Sequence, residues 1–357
     1  MQSYKEIFLQ LIRLGIGTAK MMQMPVNVNW PEIEAIAYQQ GLSAIVVDGL
    51  EKLPDGQKPP KPLLLQWIGE VMQGYEYRYE LYRRAIAELS GFYNSHGYKM
   101  MVLKGFACSL NWPKPEHRPC GDIDIWQFGQ QKEADAILSK EMGIKIDNSH
   151  HHHTVFSWRN FMVENHYDFI NIHHRKTNVF LEKVFKRLGK DDTSTVVIYG
   201  EKVFLPSPDL HALFLLKHMV NHFAGAEITL RQVLDWAFFI EKHNNEINWD
   251  WLMGLLEEYH LNTFFECINA ICIEDLGFNP AFFPRFISDP KLKERVLNDI
   301  LFPEFSIVEP RGLIKRICFK YRRWKANSWK NKMCYKESLW SIFWSGVWNH
   351  FLKPSSI

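Results

Sequence analysis

The chain has 357 residues, enough for two or three packed layers or sub-domains, because a single core seldom grows beyond roughly 250 to 300 residues. Its 46% hydrophobic and 23% charged residues are the makeup of a folded globule and exclude extensive disorder. The net charge of +2 excludes tight sequence-independent binding to nucleic acid driven by the field of the whole molecule, so local patches must decide that question.

The six cysteines (Cys108, Cys120, Cys267, Cys272, Cys318, Cys334) include no CxxC pair, and Met1 leads into a polar, mixed-charge start. Reduced thiols in the cytoplasm are therefore expected. No apolar run reaches the length of about 20 residues that crosses a bilayer.

From the N-terminus, Ile7, Phe8, Leu11, Ile12, Leu14 and Ile16 recur at helical spacing and predict a helix over 4–22, with Pro31 in the first turn of the next. After a proline-rich loop, an apolar stripe including Leu64, Ile68, Val71, Tyr75 and Ile86 predicts one long helix over 63–96, ending near Gly97. The period then changes. Residues 98–103, 121–126, 155–158, 161–164 and 167–173 read as strands, with a helix over 130–142. Helical spacing returns over 210–223, 230–242, 249–259 and 263–275. The expected organisation is an N-terminal helical region (1–97), a central mixed α/β core (98–205) and a C-terminal helical region (206–357), an α+β fold.

The stretch that carries chemistry is Leu103-Lys104-Gly105-Phe106, followed by Arg118-Pro119-Cys120-Gly121-Asp122-Ile123-Asp124-Ile125. On a strand, alternate side chains share a face, so Asp122 and Asp124 project together while Ile123 and Ile125 enter the core. Such a pair calls for a cation, and magnesium favours a few carboxylates together with substrate phosphates. Lys104-Gly105, between a strand and a helix, suits phosphate oxygens, and Arg118 is a candidate bidentate phosphate ligand.

The Lys104-Gly105 turn and the Gly121-Asp122-Ile123-Asp124-Ile125 strand resemble the glycine turn and aspartate strand of polymerase-beta-type nucleotidyltransferases. More closely, the sequence resembles an uncharacterised bacterial nucleotidyltransferase family that reads Leu-Lys-Gly and later Asp-Ile-Asp, over most of the chain. The resemblance implies a Mg2+- or Mn2+-dependent transfer of a nucleoside monophosphate from a nucleoside triphosphate (ATP or another) to an acceptor: a small molecule, peptide, protein or RNA. Lys104, Gly105 and Gly121 would serve the phosphates and the turn, with Lys217 and Arg231 as further phosphate contacts.

The same resemblance implies a third carboxylate on a neighbouring strand. Placing that strand at 167–173 puts Asn171 at the expected position, with His173 on the same face as an alternative base and Asp168 on the opposite face. An amide is no general base, so a nucleotide-binding scaffold without turnover and a phosphotransferase stand as alternatives.

Elsewhere, His150-His151-His152-His153 reads as an exposed loop that could still border an acceptor pocket, and His218 and His222 as packing residues. Arg231 and Asp235, four apart on a helix, suggest a simple salt bridge. The basic, Trp-containing end at 311–357 reads either as a cap on the fold or as a contact for RNA or a membrane surface.

Overall fold

The computed structural model describes residues 4–172, 176–191, 193–287, 289–305 and 310–336. The fold is α+β, a six-stranded mixed sheet flanked by helices on both sides of the sequence.

Helix α1 (Tyr4–Ile16) is shorter than the sequence pattern suggests: Gly17 turns left-handed at φ 88°, and the Thr18 hydroxyl donates to the Leu276 carbonyl 2.5 Å away. Helices α2 (Trp30–Gln40) and α3 (Ser43–Glu51) complete the N-terminal layer. The long helix expected next runs unbroken from α4 (Lys61–Val71) through a π-type turn at Met72–Tyr77 into α5 (Arg78–Ser95). Such wide turns often lie near functional sites.

The centre of the chain runs β1 (Met101–Val102), α6 (Phe106–Ser109), β2 (Ile123–Trp126), α7 (Gln131–Met142), β3 (His153–Trp158), β4 (Phe161–His166), α8 (Lys176–Asp191), β5 (Thr193–Ile198) and β6 (Glu201–Pro206). The strand order is β3-β4-β2-β1-β6-β5, with β2 parallel to β4 and β1 parallel to β6. Two sequence expectations change here. Residues 167–172 form bends rather than a strand, and β4 runs on to His166. Helix α8 and the β5–β6 hairpin were not anticipated, although Leu181, Val184, Phe185 and Leu188 keep helical spacing.

Helices α9 (Pro208–Gly225), α10 (Leu230–His243), α11 (Trp249–Glu258), α12 (Asn262–Ala270), α13 (Pro290–Leu301), α14 (Leu313–Ala326) and α15 (Ser328–Cys334) follow. One face of the sheet, through Val102, Ile123, Ile125 and Val163, packs on Tyr82, Ile86 and Leu89 of α5. The opposite face, through Met101 and Trp126, joins a larger core that takes in α1–α3 and α8–α13 together. Alternation along β2 thus separates Ile123 and Ile125 from Asp124, which faces the helical side. No described helix is long and apolar enough to cross a membrane.

The loop leading to β2 is tied to the N-terminal layer by His117, whose Nδ1 lies 2.7 Å from Asp48 Oδ2 on α3 and whose Nε2 lies 3.2 Å from Glu76 Oε1. Burial pushes the His117 pKa down, but the two carboxylates outweigh it and the net shift is upward. A raised folded-state value means that this contribution to stability is complete below the unfolded imidazole value of about 6.5 and fades as pH rises through the higher folded value. His117→Gln should therefore lower the melting temperature more at pH 5.5 than at pH 9. A pH-independent difference would assign the effect to packing alone.

Candidate active site

Two adjoining cavities, of about 940 and 160 Å3, open on the helical side of β2 and share Lys104, Asp122, His218, Arg231 and Gln232 in their walls. Asp122, just before β2, lines both; Asp124 lines the smaller. Both acids thus border the smaller cavity.

Sheet register brings in the third. Asp124 on β2 stands beside Glu164 on the parallel strand β4, and two residues further along the same face comes His166. Oxygen and nitrogen atoms of Asp124, Glu164 and His166 lie within 4.8 Å of one another. His166 Nε2 is 3.2 Å from Asp124 Oδ1 and 3.6 Å from Glu164 Oε2. Lys104 Nζ is 2.9 Å from Asp124 Oδ1, so an ammonium supplies the counter-charge to that carboxylate.

The charges are coupled. Burial raises the Asp124 pKa, but Lys104 and His166 more than reverse this and hold it below the ordinary carboxylate range. Glu164 behaves likewise: burial raises it, His166 draws it down, and the net shift is downward. Asp122 goes the other way, raised by burial and by the negative charges of Glu164 and Asp124. A carboxyl that its acidic neighbours resist ionising marks a place where added positive charge is favourable.

Gly105 closes the turn from β1 into α6 with φ 58° and ψ −100°, and a Cβ there would stand 2.5 Å from the Tyr82 hydroxyl oxygen. That hydroxyl donates to the Asp122 carbonyl at 2.8 Å, so one tyrosine of α5 braces both the glycine turn and the aspartate strand. Gly105→Ala should cost roughly 1–3 kcal/mol in denaturant titration through backbone strain, and adding Tyr82→Phe should remove only the contact and recover part. Gly121 lines the smaller cavity, but its φ is not left-handed and a Cβ there meets no atom within 4 Å, so no steric demand for glycine exists at that position.

The other expected site residues meet different partners. Arg118 is buried and spends its guanidinium on Asp235, with Nε to Oδ1 at 2.7 Å and Nη2 to Oδ2 at 2.9 Å, while Nη1 donates to the Pro119 carbonyl at 3.2 Å. It thereby clamps the aspartate loop to α10 while lining the smaller cavity. Asp235 is thereby taken from the expected Arg231 pairing, and Arg231 turns to both cavities with no carboxylate at ion-pairing distance among the described residues.

Lys217 is fully buried, its ammonium 5.0 Å from the centre of the Tyr335 ring, and it lines neither cavity. Asn171 borders the larger cavity from a bend rather than a strand, and its carbonyl accepts from Asn178 Nδ2 at 2.7 Å. Asp168 pairs with Lys186 and stays outside the cavities. His173 lies outside the described residues.

The histidine run is not simply a surface loop. His150 is exposed, but His153 is buried at the start of β3, opposite His166, and both His152 and His153 line the larger cavity. His218 and His222 line it too, their rings 4.3 Å apart. From the basic end, Lys320 and Arg323 of α14 reach the cavity rim; residues 337–357 lie outside the description. Glu164 lies within the strand expected at 161–164, but the third acid is expected on the segment 167–173; that β2 pairs with β4 instead, and that β4 runs on to His166, is set by tertiary register.

A glycine turn, an Asp-x-Asp strand and an acid on the adjacent parallel strand, set in an α+β frame, are the parts of a nucleotidyltransferase-like protein. The chain belongs to the family of uncharacterised nucleotidyltransferases, whose model matches residues 27–276. Among solved structures it is similar to the crystal structure of an antigenic nucleotidyltransferase-like protein from Paracoccidioides brasiliensis, at 14% identity, with 44% of this chain and 75% of that chain covered and a TM-score of 0.33. A comparison with curated proteins gives no match.

Proposed function

We propose that the chain transfers a nucleoside monophosphate from a nucleoside triphosphate to an acceptor, with Asp122, Asp124 and Glu164 as its acidic centre. The observation that carries this reading is the register of the parallel pair β2–β4, which sets Glu164 beside Asp124. On this reading Glu164 takes the role of the acid expected at Asn171, which supports turnover.

Three oxygen-bearing side chains with a raised Asp122 pKa fit a divalent cation such as Mg2+ or Mn2+. Bound there, the ion would neutralise charge developing on the triphosphate. Lys104 and Arg231 border the cavities where phosphate oxygens would sit, and the Gly105 turn lets the backbone come close. Glu164, held ionised by His166, is positioned to take the acceptor's proton as its oxygen attacks the α-phosphorus and pyrophosphate leaves.

The larger cavity, with Phe214 and Phe169 on one side and Lys320 and Arg323 on the rim, has room for the nucleoside and an acceptor. Residues 310–336 hold ten Lys and Arg and no Asp or Glu, so an anionic acceptor, including an RNA end, or an anionic membrane surface is favoured on that side.

Incubation with α-labelled ATP, GTP, CTP and UTP in Mg2+ or Mn2+ tests the reading. Pyrophosphate release with label passing to an acceptor supports it. Transfer of a γ-label would instead indicate a phosphotransferase, and binding without release a scaffold.

A further inference from the structure

The acidic centre differs from an all-oxygen site in one respect: an imidazole stands inside it. His166 is buried, and its Nδ1 lies 3.3 Å from the Asp168 carbonyl. A carbonyl and carboxylates only accept, so Nδ1 donates to the Asp168 carbonyl and Nε2 faces Asp124 Oδ1 and Glu164 Oε2, 3.2 and 3.6 Å away, where a cation would take the place of its proton. An imidazole fixed by a backbone carbonyl on one nitrogen and facing carboxylates with the other has the arrangement that metal-ligating histidines show.

Two more imidazoles stand behind it. Ligand atoms of His152, His153 and His166 lie within 4.8 Å of one another, and His153 Nε2 is 3.9 Å from Glu164 Oε1. The Nδ1 atoms of His152 and His153 are buried without a hydrogen-bond partner. A hard ion that keeps its waters gains little from such surroundings, whereas imidazole nitrogen suits first-row transition ions.

We propose that the metal seated at Asp124 and Glu164 takes His166 Nε2 as a nitrogen ligand, which makes the centre prefer Mn2+ over Mg2+. The inference rests on the nucleotidyltransferase reading for the two carboxylates and adds the donor that sets metal choice. Lys104, now against Asp124, is released by the ion and freed for phosphate.

The test uses the full chain, stripped with chelator and titrated with Mn2+ under electron paramagnetic resonance, with Mg2+ as competitor. Wild type should bind Mn2+ more tightly than Mg2+, and pulsed spectra should carry 14N modulation from a directly bound imidazole. His166→Gln should lose that modulation and weaken Mn2+ binding about tenfold or more, the scale on which even outer partners of a metal ligand act, while Mg2+ binding stays nearly unchanged. Bound Mn2+ without nitrogen modulation in wild type overturns the inference, whether or not the variant folds.

The two readings fail separately. Nitrogen-free Mn2+ with pyrophosphate release refutes only the ligand assignment. Nitrogen-ligated Mn2+ without pyrophosphate release upholds the ligand and refutes the transfer reaction, and no Mn2+ binding refutes both.

Discussion

Asp124→Asn and Glu164→Gln should each lower pyrophosphate release by at least roughly 10²–10³-fold, the loss typical when a group that stabilises developing charge is removed. Asn171→Ala should cost far less, because Asn171 sits in a bend at the cavity wall while Glu164 stands in register with Asp124. The three variants together ask which residue completes the centre; equal losses in all three would contradict the assignment to Glu164. Asp124 is buried against Lys104 and His166, so the melting temperature of each variant is measured beside its activity. Glu164 and Asp124 both raise the Asp122 pKa, so neutralising either relieves repulsion, and Asp122 should titrate lower in Glu164→Gln than in wild type, as read by carboxyl NMR.

The largest stability effect is expected at Asp235. Its carboxylate holds both Arg118 and the indole N–H of Trp112, the latter at 2.9 Å, and Arg118 and Asp235 are both buried. Burial alone would lower the Arg118 pKa, and the Asp235 carboxylate is what reverses it. Asp235→Ala leaves a guanidinium buried without its counter-charge and should cost about 3–5 kcal/mol in urea denaturation. The double replacement Arg118→Met with Asp235→Leu removes both charges and should recover most of that loss. If the single variant loses less than about 1 kcal/mol, the pair does not clamp the aspartate loop to α10.

How far the site was legible follows from the range of each signal. Alternation along one strand is local, so Asp122, Asp124 and their separation from Ile123 and Ile125 could be read directly, as could the Gly105 turn ahead of α6. The end of a strand is less well marked. β4 continues through Asn165 and His166 because Asn165 Nδ2 donates to buried Asp135 Oδ1 at 2.8 Å and His166 meets Asp124, neither of which an apolar pattern reveals. Taking 167–173 as the neighbouring strand puts the third acid at Asn171, where the chain has already left the sheet; Glu182 fixes the preceding bend by accepting the N–H groups of Phe169 and Ile170, each at 3.1 Å.

Charged residues show the same limit. Arg231 and Asp235 have ideal spacing for an ion pair within one helix, yet Asp235 serves Arg118, because a bidentate contact outcompetes a pairing along the helix. Lys217 looked available for phosphate from its place in the chain and is instead enclosed by the C-terminal helices.

By itself the sequence determined the α+β layout and pointed to the glycine turn and the close spacing of Asp122 and Asp124, since these are local features of the chain. Only tertiary structure decided which partner each charge meets. Asp124 and His166 are 42 positions apart and Arg118 and Asp235 are 117 apart, and strand register and helix packing bring them together. Periodicity says which way a side chain points, while what it faces depends on where the rest of the chain has folded.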